Sequence, residues 1–257
     1  MVHFSKYVTK RLRDELQKLD NSSDLNEPET VIVDNKNNAS YRKPRRRWRI
    51  AVIVITLLLC ALTYIGVFGG NVREVVPGKL YRSAQLTGNG YDAVSAGLFG
   101  NSLDSVIKRY GIKTVLNLRG GSDKDKRYHD EIAVCSQDGA DHIDDAFSAR
   151  ALPSPEVVAR LFDVFDHAKY PILIHCQAGA DRTGLACTVY ANAYLGQPID
   201  TAETNQLTWR YGHFKFTNTR PMNKFFDLYR ETSRGKSLRE WVKADYPKLY
   251  DGINGGR

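Results

Sequence analysis

The segment 171–195 constrains the fold more than any other part of the chain. The run 171–174, Pro-Ile-Leu-Ile, predicts a buried strand, and residues 185–195 carry apolar side chains at the spacing of a helix. Between them lies the ten-residue sequence His-Cys-Gln-Ala-Gly-Ala-Asp-Arg-Thr-Gly, which places the thiol of Cys176 and the guanidinium of Arg182 six positions apart. We therefore predict a strand and a helix joined by a short loop that bears both groups.

These residue types suit the binding of a phosphate group above Cys176. Backbone N–H groups at a helix N-terminus attract a dianion and favour the thiolate form of a nearby cysteine. Arg182 adds a planar guanidinium that can bind two phosphate oxygens at once, which a lysine cannot do. The loop therefore favours covalent transfer of a phosphoryl group, a reaction in which the protein mainly positions the substrate and neutralises charge.

The pattern His-Cys-x5-Arg-Thr over 175–183 resembles the signature loop of the cysteine-dependent phosphatases, the superfamily of protein-tyrosine and dual-specificity phosphatases. Two upstream stretches, 77–85 and 115–119, resemble the atypical dual-specificity branch of bacteria and fungi, so the likeness extends over about 75–195. It implies an α/β fold in which a small central sheet is flanked by helices. It also implies that the reaction needs no metal or other cofactor.

The resemblance assigns expected roles to the residues of the loop. Cys176 would be the nucleophile that forms a phosphocysteine, Arg182 the clamp on the transferring phosphoryl group, and Thr183 the donor to the departing sulfur. His175 would orient the loop and tune the thiolate without touching the substrate. The residues expected to bind the substrate are Gln177, Ala178, Gly179, Ala180, Asp181 and Arg182.

A proton donor for the leaving oxygen is expected upstream of the loop. Asp144 and Asp145 lie 32 and 31 residues before Cys176, an offset typical of the short members of the superfamily. Adjacent carboxylates on a strand face opposite ways, so only one can face the thiolate, and we predict Asp144. Asp181, within the loop, departs from the commonest tyrosine-phosphatase loops and resembles several phosphoinositide phosphatases and lipid-active bacterial relatives. It is either an alternative proton donor or a structural partner at the helix start.

The second decisive feature is the run 50–70, which contains no charged residue over 21 positions. A helix of about 20 apolar residues suffices to cross a bilayer. Six of the eight residues before the run are basic, so the positive-inside rule predicts a transmembrane helix over 50–70 with residues 1–49 in the cytoplasm. The phosphatase domain, 72–257, would then lie outside the cytoplasm, in the periplasm if the source is a Gram-negative bacterium. A cleaved signal peptide and a buried core helix are the alternative interpretations.

Most of the positive charge of the chain belongs to the N-terminal tail. Residues 1–49 hold 12 basic and 7 acidic side chains, against a formal charge of +8 for the whole chain. The basic residues beside the run 50–70 suit anionic lipid headgroups, whereas no motif indicates binding of nucleic acid. Residues 20–40 lack apolar periodicity and are predicted to be disordered. The expected partners are thus the membrane and a phosphorylated protein or lipid.

The phosphatase domain is predicted to alternate strands and helices, which is typical of an α/β fold. Of the cysteines in this domain, Cys135 is either an inert buried residue or a reversible disulfide partner of Cys176. The predicted strands lie near 79–82, 112–118, 140–144 and 171–175. The predicted helices lie near 102–110, 125–136, 154–168, 183–195, 200–210, 221–232 and 237–246.

Together these features predict a single-pass, membrane-anchored phosphatase of the tyrosine or dual-specificity type that works through a phosphocysteine. The predicted topology would bring lipid and glycolipid phosphates of the outer leaflet within reach, so a phosphatase of those groups is the alternative. A non-catalytic phosphate-binding module is a third interpretation, which the joint presence of Cys176, Arg182 and Thr183 disfavours.

Overall fold

The computed structural model describes residues 44–68, 70–86, 102–121 and 124–254. The chain divides into two units, Met1–Ile53 and Val54–Arg257. The helices are α1 (Pro44–Phe68), α2 (Leu103–Tyr110), α3 (Lys126–Gln137), α4 (Pro155–His167), α5 (Asp181–Leu195), α6 (Ile199–Gln206), α7 (Pro221–Thr232), α8 (Leu238–Ala244) and α9 (Tyr246–Asn254), with a turn of 3-10 helix at Trp209–Tyr211. The strands are β1 (Arg73–Val76), β2 (Leu80–Ser83), β3 (Thr114–Asn117), β4 (Asp141–Asp144) and β5 (Ile172–His175).

The described strands form one sheet in the order β1-β2-β5-β3-β4. β1 runs antiparallel to β2, and the other four strands are parallel. His175 lies in register between Ser83 and Asn117, and Asn117 pairs in turn with Asp144. The last residues of the four parallel strands therefore form one row at the carboxyl edge of the sheet, the edge at which ligands bind in open α/β sheets.

Two hydrophobic clusters cover the two faces of the sheet. Leu116 and Ile174 belong to a first cluster, which includes residues of α4, α5, α7 and α8. Val115 and Leu173 belong to a second cluster, which includes residues of α2 and α3. Since successive residues of a strand face opposite ways, both faces of β3 and β5 are buried, and this explains the uninterrupted apolar run of β5. The prediction of an α/β fold with a small central sheet flanked by helices is confirmed.

Local sequence signals set the ends of several helices. The hydroxyl of Ser154 caps α4, whose first residue is Pro155. A capping box between Ser237 and Glu240 begins α8. The helix predicted over 237–246 corresponds to α8, which ends at Ala244. A further helix that was not predicted, α9, follows with Pro247 in its first turn.

The membrane part of the prediction is contradicted. Within the described ranges, no helix combines the length and the apolar character needed to cross a bilayer. The transmembrane helix predicted over 50–70 is therefore wrong. The extracytoplasmic location of the phosphatase domain was inferred from that helix and is not supported either. The tail predicted to be disordered, 20–40, lies outside the described residues.

Candidate active site

The loop that bears the cysteine follows β5 and leads directly into α5. Cys176 is 2% exposed and packs in the first cluster. Gly179 has a φ of 68°, in the left-handed region that favours glycine. A Cβ at this position would lie 2.5 Å from the carbonyl oxygen of Ser83. Glycine therefore lets the loop approach the backbone at the end of β2.

Two buried side chains hold the loop by its carbonyl oxygens. Nη2 of Arg82 donates to the carbonyl oxygen of Gly179 at 2.8 Å, and Nδ2 of Asn71 donates to that of Ala178 at 3.1 Å. In a planar trans peptide unit, the C=O and N–H bonds point in opposite directions. The N–H groups of Gly179 and Ala180 therefore point away from these two side chains, to the inner side of the loop where a phosphate group would lie.

Arg82 and Asn71 are themselves fixed by the segment that follows α6. Nη1 of Arg82 donates to the carbonyl oxygen of Gln206 at 2.8 Å, and its guanidinium lies 3.8 Å from the centre of the Tyr211 ring. Nδ2 of Asn71 also donates to the carbonyl oxygen of Tyr211 at 3.1 Å. Because Arg82 is fully buried, these contacts give its charge a defined position behind the loop.

Arg182 and Thr183 present donors that have no partner among the described residues. Nη1 of Arg182 donates to the carbonyl oxygens of Leu118 and Phe147, each at 3.2 Å. Its Nε and the hydroxyl of the fully buried Thr183 are both buried without a hydrogen-bond partner in the part of the chain that the structure describes. A buried donor without an acceptor is costly, so such groups are typical of a site that binds a ligand. Arg182 is thus suited to donate to an anion bound in the loop, and the hydroxyl of Thr183 is free to donate to an acceptor within the loop itself, such as the sulfur of Cys176.

A buried chain of two imidazoles and a carboxylate supports the start of the loop. Nε2 of His175 and Nε2 of His142 each lie 2.9 Å from Oε1 of Glu131. Burial raises the pKa of this carboxyl, but the two imidazoles lower it by more, so the pKa of Glu131 falls from 4.5 to about 2. Nδ1 of His175 faces the carbonyl oxygen of Cys176 at 3.3 Å. The ring of His175 therefore connects the cysteine backbone to an ionised carboxylate.

Asp144, the proton donor predicted from the sequence, accepts hydrogen bonds on the side of the sheet that α3 covers. Its Oδ1 accepts from Nδ2 of Asn117 at 2.8 Å, and its Oδ2 accepts from the hydroxyl of Tyr128 at 2.5 Å. Tyr128 belongs to α3, which packs in the second cluster, whereas Cys176 packs in the first. Asp144 therefore faces away from the side of the sheet on which Cys176 lies.

Asp145 has the opposite surroundings. Its side chain is buried, and its Oδ1 accepts from Nε of Arg160, a residue of α4, at 2.7 Å. Its Oδ2 is buried without a partner among the described residues. Burial raises the pKa of Asp145, and the nearby Arg160 offsets only part of that effect. Asp145 also lies two residues before Phe147, whose carbonyl oxygen accepts from Arg182. It is therefore a carboxyl on the Cys176 side of the sheet with a raised affinity for a proton.

Asp181, the first residue of α5, is paired with a buried histidine. Its Oδ1 lies 2.7 Å from Nδ1 of His213, whose side chain is fully buried. The carboxylate also lies at a helix N-terminus, where a negative charge is favoured. Of the two roles that the sequence allowed for Asp181, these contacts favour the structural one.

The remaining cysteines of the domain, Cys135 and Cys187, are buried free thiols. Cys135 packs in the second cluster, across the sheet from Cys176, so the arrangement does not favour a disulfide between them. Burial, together with the nearby Glu131 and Asp138, raises the pKa of Cys135 to about 12. Burial likewise raises the pKa of Cys187 to about 11. Both are suited to remain thiols at neutral pH.

The structure thus gathers Cys176, Arg182 and Thr183 around one loop and adds supporting residues that sequence analysis did not assign to the site. Asn71 and Glu131 contact loop residues that lie 107 and 44 positions away in the chain. No local pattern marks either residue. The other two such residues are Tyr211 and His213.

Comparison with known proteins yields a family and several relatives. A family model described as "Tyrosine phosphatase family" matches residues 66–205, more than half of the chain. Among curated proteins, the human dual specificity protein phosphatase CDC14C is 30% identical over 84 residues, which are 33% of this chain and 17% of that protein. The matched part of the chain therefore spans less than a fifth of that relative.

Similar solved structures include TpbA of P. aeruginosa, with a TM-score of 0.43 and 19% identity over 61% of this chain and 88% of that one. They also include the core catalytic domain of the PP-IP phosphatase SIW14 from S. cerevisiae, with a TM-score of 0.44 and 16% identity over 65% of this chain and 94% of that one. The matched range 66–205 contains the whole loop 176–182 but ends before Tyr211 and His213.

Proposed function

The chain belongs to the tyrosine phosphatase family, and from that premise we propose that it hydrolyses phosphate monoesters through a phosphocysteine intermediate on Cys176. One observation carries the proposal. The loop 176–182 turns carbonyl oxygens outward to Arg82 and Asn71, which leaves its N–H groups, with Nε of Arg182, to face a bound anion. Such preorganised donors stabilise the charge that develops on a transferring phosphoryl group.

In the first step, the thiolate of Cys176 attacks phosphorus, a P–S bond forms, and the bond between phosphorus and the leaving oxygen breaks. The leaving oxygen takes a proton from a carboxylic acid. Arg182 and the loop N–H groups bind the equatorial oxygens throughout, because these oxygens carry most of the charge in the transition state. The intermediate is the phosphocysteine.

In the second step, water attacks phosphorus and the P–S bond breaks. The carboxylate that donated a proton in the first step now accepts one from the water, which restores the acid and yields inorganic phosphate. The hydroxyl of Thr183, which has no partner among the described residues, is suited to donate to the departing sulfur. The free enzyme is thereby regenerated.

We assign the proton-donor role to Asp145 in place of Asp144. Asp145 lies on the Cys176 side of the sheet, is buried and has a raised pKa, so it holds a proton more readily than an exposed carboxyl does. Asp144 accepts two hydrogen bonds on the other side, and Asp181 is paired with His213. Neither arrangement suits proton donation above Cys176.

The substrate class we favour is an aryl phosphate such as phosphotyrosine in a protein. Trp209 and Phe216 are 67% and 87% exposed on the segment that also supplies Tyr211 and His213 to the loop, and they offer an apolar surface for an aromatic ring or a polypeptide. The alternative, a lipid phosphate of the outer leaflet, was based on the contradicted membrane span and on the resemblance of the loop at Asp181 to lipid-active phosphatases. No described contact now favours it.

Activity of the full-length chain toward an aryl phosphate, an alkyl phosphate and a phosphatidylinositol phosphate tests this proposal. Cys176→Ser should abolish turnover and keep the binding of inorganic phosphate, which needs no bond to sulfur. Asp145→Asn should slow the alkyl phosphate by about 10²–10⁴-fold and an activated aryl phosphate much less, because a good leaving group needs no proton.

Asp144→Asn is the matched control, since it changes the neighbouring carboxylate in the same way. We expect it to affect both leaving groups by the same factor. Activity that survives Cys176→Ser would refute the mechanism, and a leaving-group effect confined to Asp144→Asn would move the proton donor to Asp144. Preference for the lipid over a phosphotyrosine peptide would refute the substrate class.

A further inference from the structure

The segment between α6 and α7, residues 207–220, lies beyond the region that the family model matches, yet it reaches the catalytic loop. Tyr211 packs against the guanidinium of Arg82, and His213 contacts Asp181, the first residue of α5. The contact between His213 and Asp181 joins two side chains that lie 32 positions apart, and the imidazole is fully buried. This contact therefore links the segment 207–220 to the start of α5 through a buried side chain.

Both ring nitrogens of His213 lie within hydrogen-bond distance of an oxygen atom. Nδ1 is 2.7 Å from Oδ1 of Asp181, and Nε2 is 2.7 Å from Oδ1 of Asn223 in α7. Nδ2 of Asn223 is in turn 2.5 Å from Oε1 of Glu203 in α6. The polar groups thus form a continuous buried chain from the catalytic loop to α6.

The protonation of His213 follows from the far end of that chain. Glu203 accepts a hydrogen bond from Nη2 of Arg230 and lies 3.6 Å from Nζ of Lys215, so two cationic side chains face its carboxylate. An ionised carboxylate can only accept, which fixes the NH₂ group of Asn223 toward Glu203 and its oxygen toward His213. Nε2 of His213 must then donate.

Nδ1 of His213 faces the carboxylate of Asp181, which also accepts. An imidazole that donates from both nitrogens carries two ring protons and a positive charge. The charged groups that face this cation are Asp181 of α5, Glu203 of α6 beyond the Asn223 amide, Arg230 of α7 beyond Glu203, and Lys215 of its own segment. The nearest formal charge is thus the negative one of Asp181.

We propose that His213 is a buried imidazolium cation that holds the carboxylate of Asp181 and so positions the first turn of α5, with Arg182, for a bound phosphate group. His213 is a positioning residue, because it acts through Asp181 and touches neither the cysteine nor the substrate. Asp181, as the acceptor of a charge-assisted hydrogen bond, is an anchor of the loop and does not donate a proton in catalysis. This inference rests on the proposed function of the loop as a phosphate-binding site.

The protonation of His213 can be observed directly by NMR spectroscopy of the full-length chain labelled with ¹⁵N in its histidines. At neutral pH we expect two ring N–H protons on His213, which are assigned by their loss in His213→Gln. A ring with one unprotonated nitrogen at that position would overturn the proposal. The measurement needs no turnover, so its failure is distinguishable from failure of the proposed phosphatase activity.

The positioning role is measured by vanadate binding and by kinetics. His213→Gln keeps at most one of the two hydrogen bonds at a time, and we expect it to weaken vanadate binding and to raise KM by about 10-fold or more. The ratio of kcat for alkyl and aryl phosphates should stay constant, because the proton donor is elsewhere. Unaltered vanadate affinity, or a change in that ratio, would overturn the proposal.

A double-mutant cycle keeps the test informative if a variant is generally destabilised. Asp181→Ala removes the acceptor, so adding His213→Gln to it should cause little further loss of vanadate affinity. Full additivity of the two losses would show that the residues act separately. His167→Gln is the matched control, since His167 forms an exposed pair with Asp163 at 3.0 Å on α4, and it should leave vanadate affinity unchanged.

Discussion

The carboxylate of Glu131 should contribute about 3 kcal/mol to the free energy of unfolding at neutral pH. Its side chain is 1% exposed and lies 2.9 Å from an imidazole nitrogen of both His175 and His142. Burial raises the pKa of Glu131, but the imidazoles lower it by more, from 4.5 to about 2. Since one pKa unit corresponds to about 1.4 kcal/mol, a lowering of about 2.5 units gives about 3 kcal/mol.

The stabilisation by Glu131 depends on pH, because its pKa is lower in the folded state than in the unfolded state. The folded-state pKa of Glu131 lies below the unfolded one, so the stabilisation is fully present above about pH 4.5 and is lost as the pH falls toward about 2. Glu131→Gln removes the titrating group. In urea unfolding, the variant should be less stable than the parent by about 3 kcal/mol at pH 7, and the difference should shrink as the pH is lowered.

The matched control is Asp163→Asn, which neutralises a carboxylate that pairs with His167 on the surface. Both side chains of that pair are more than 70% exposed, so the change should cost less than about 1 kcal/mol. A difference in unfolding free energy between Glu131→Gln and the parent that stays constant from pH 7 to pH 2 would contradict this prediction. An equal loss of unfolding free energy in Glu131→Gln and Asp163→Asn at pH 7 would also contradict it.

Further predictions concern the loop and the remaining thiols. Gly179→Ala should lower kcat/KM by about 100-fold or more, because residue 179 has a left-handed conformation and its Cβ would lie 2.5 Å from the backbone of Ser83. Normal vanadate binding by this variant would contradict the close approach of the loop to Ser83. Arg82→Lys should weaken vanadate binding by about 10-fold, because an ammonium cannot both bind two carbonyl oxygens and stack on Tyr211; a change below 2-fold would argue against loop support. Cys135, with a pKa of about 12, should resist iodoacetamide at pH 7 in peptide mass spectrometry, and its rapid alkylation would show that it is accessible.

The parts of the fold that could be predicted from sequence are those set by local patterns. β5 and α5 follow from the apolar run 171–174 and from the helical spacing after 184, and the capping residues Ser154 and Ser237 mark helix starts correctly. β1 was not predicted, since Arg-Glu-Val-Val at 73–76 has neither alternation nor a long apolar run. An edge strand of this length depends on its pairing with β2 more than on its own sequence.

The supporting residues of the site could not be predicted, because they depend on contacts between distant parts of the chain. Asn71 reaches the loop from 107 positions away, and His213 reaches Asp181 from beyond two helices. A lone asparagine or histidine carries no periodic signal, and each acquires its role only when the helices pack. Their identification needed the tertiary structure.

The register of the strands decides between Asp144 and Asp145 as the carboxylate on the Cys176 side of the sheet. Alternation along a strand correctly indicated that the two carboxylates face opposite ways, but not which of them faces Cys176. The register supplies the answer, because Asp144 lies in one row with Asn117 and His175, and His175 turns its ring to the α3 side. Cys176 comes one residue after His175 and faces the other side, as Asp145 does one residue after Asp144. A register shifted by one residue would have exchanged the two roles, so the leaving-group experiment on Asp145→Asn and Asp144→Asn also tests the pairing of β3 with β4.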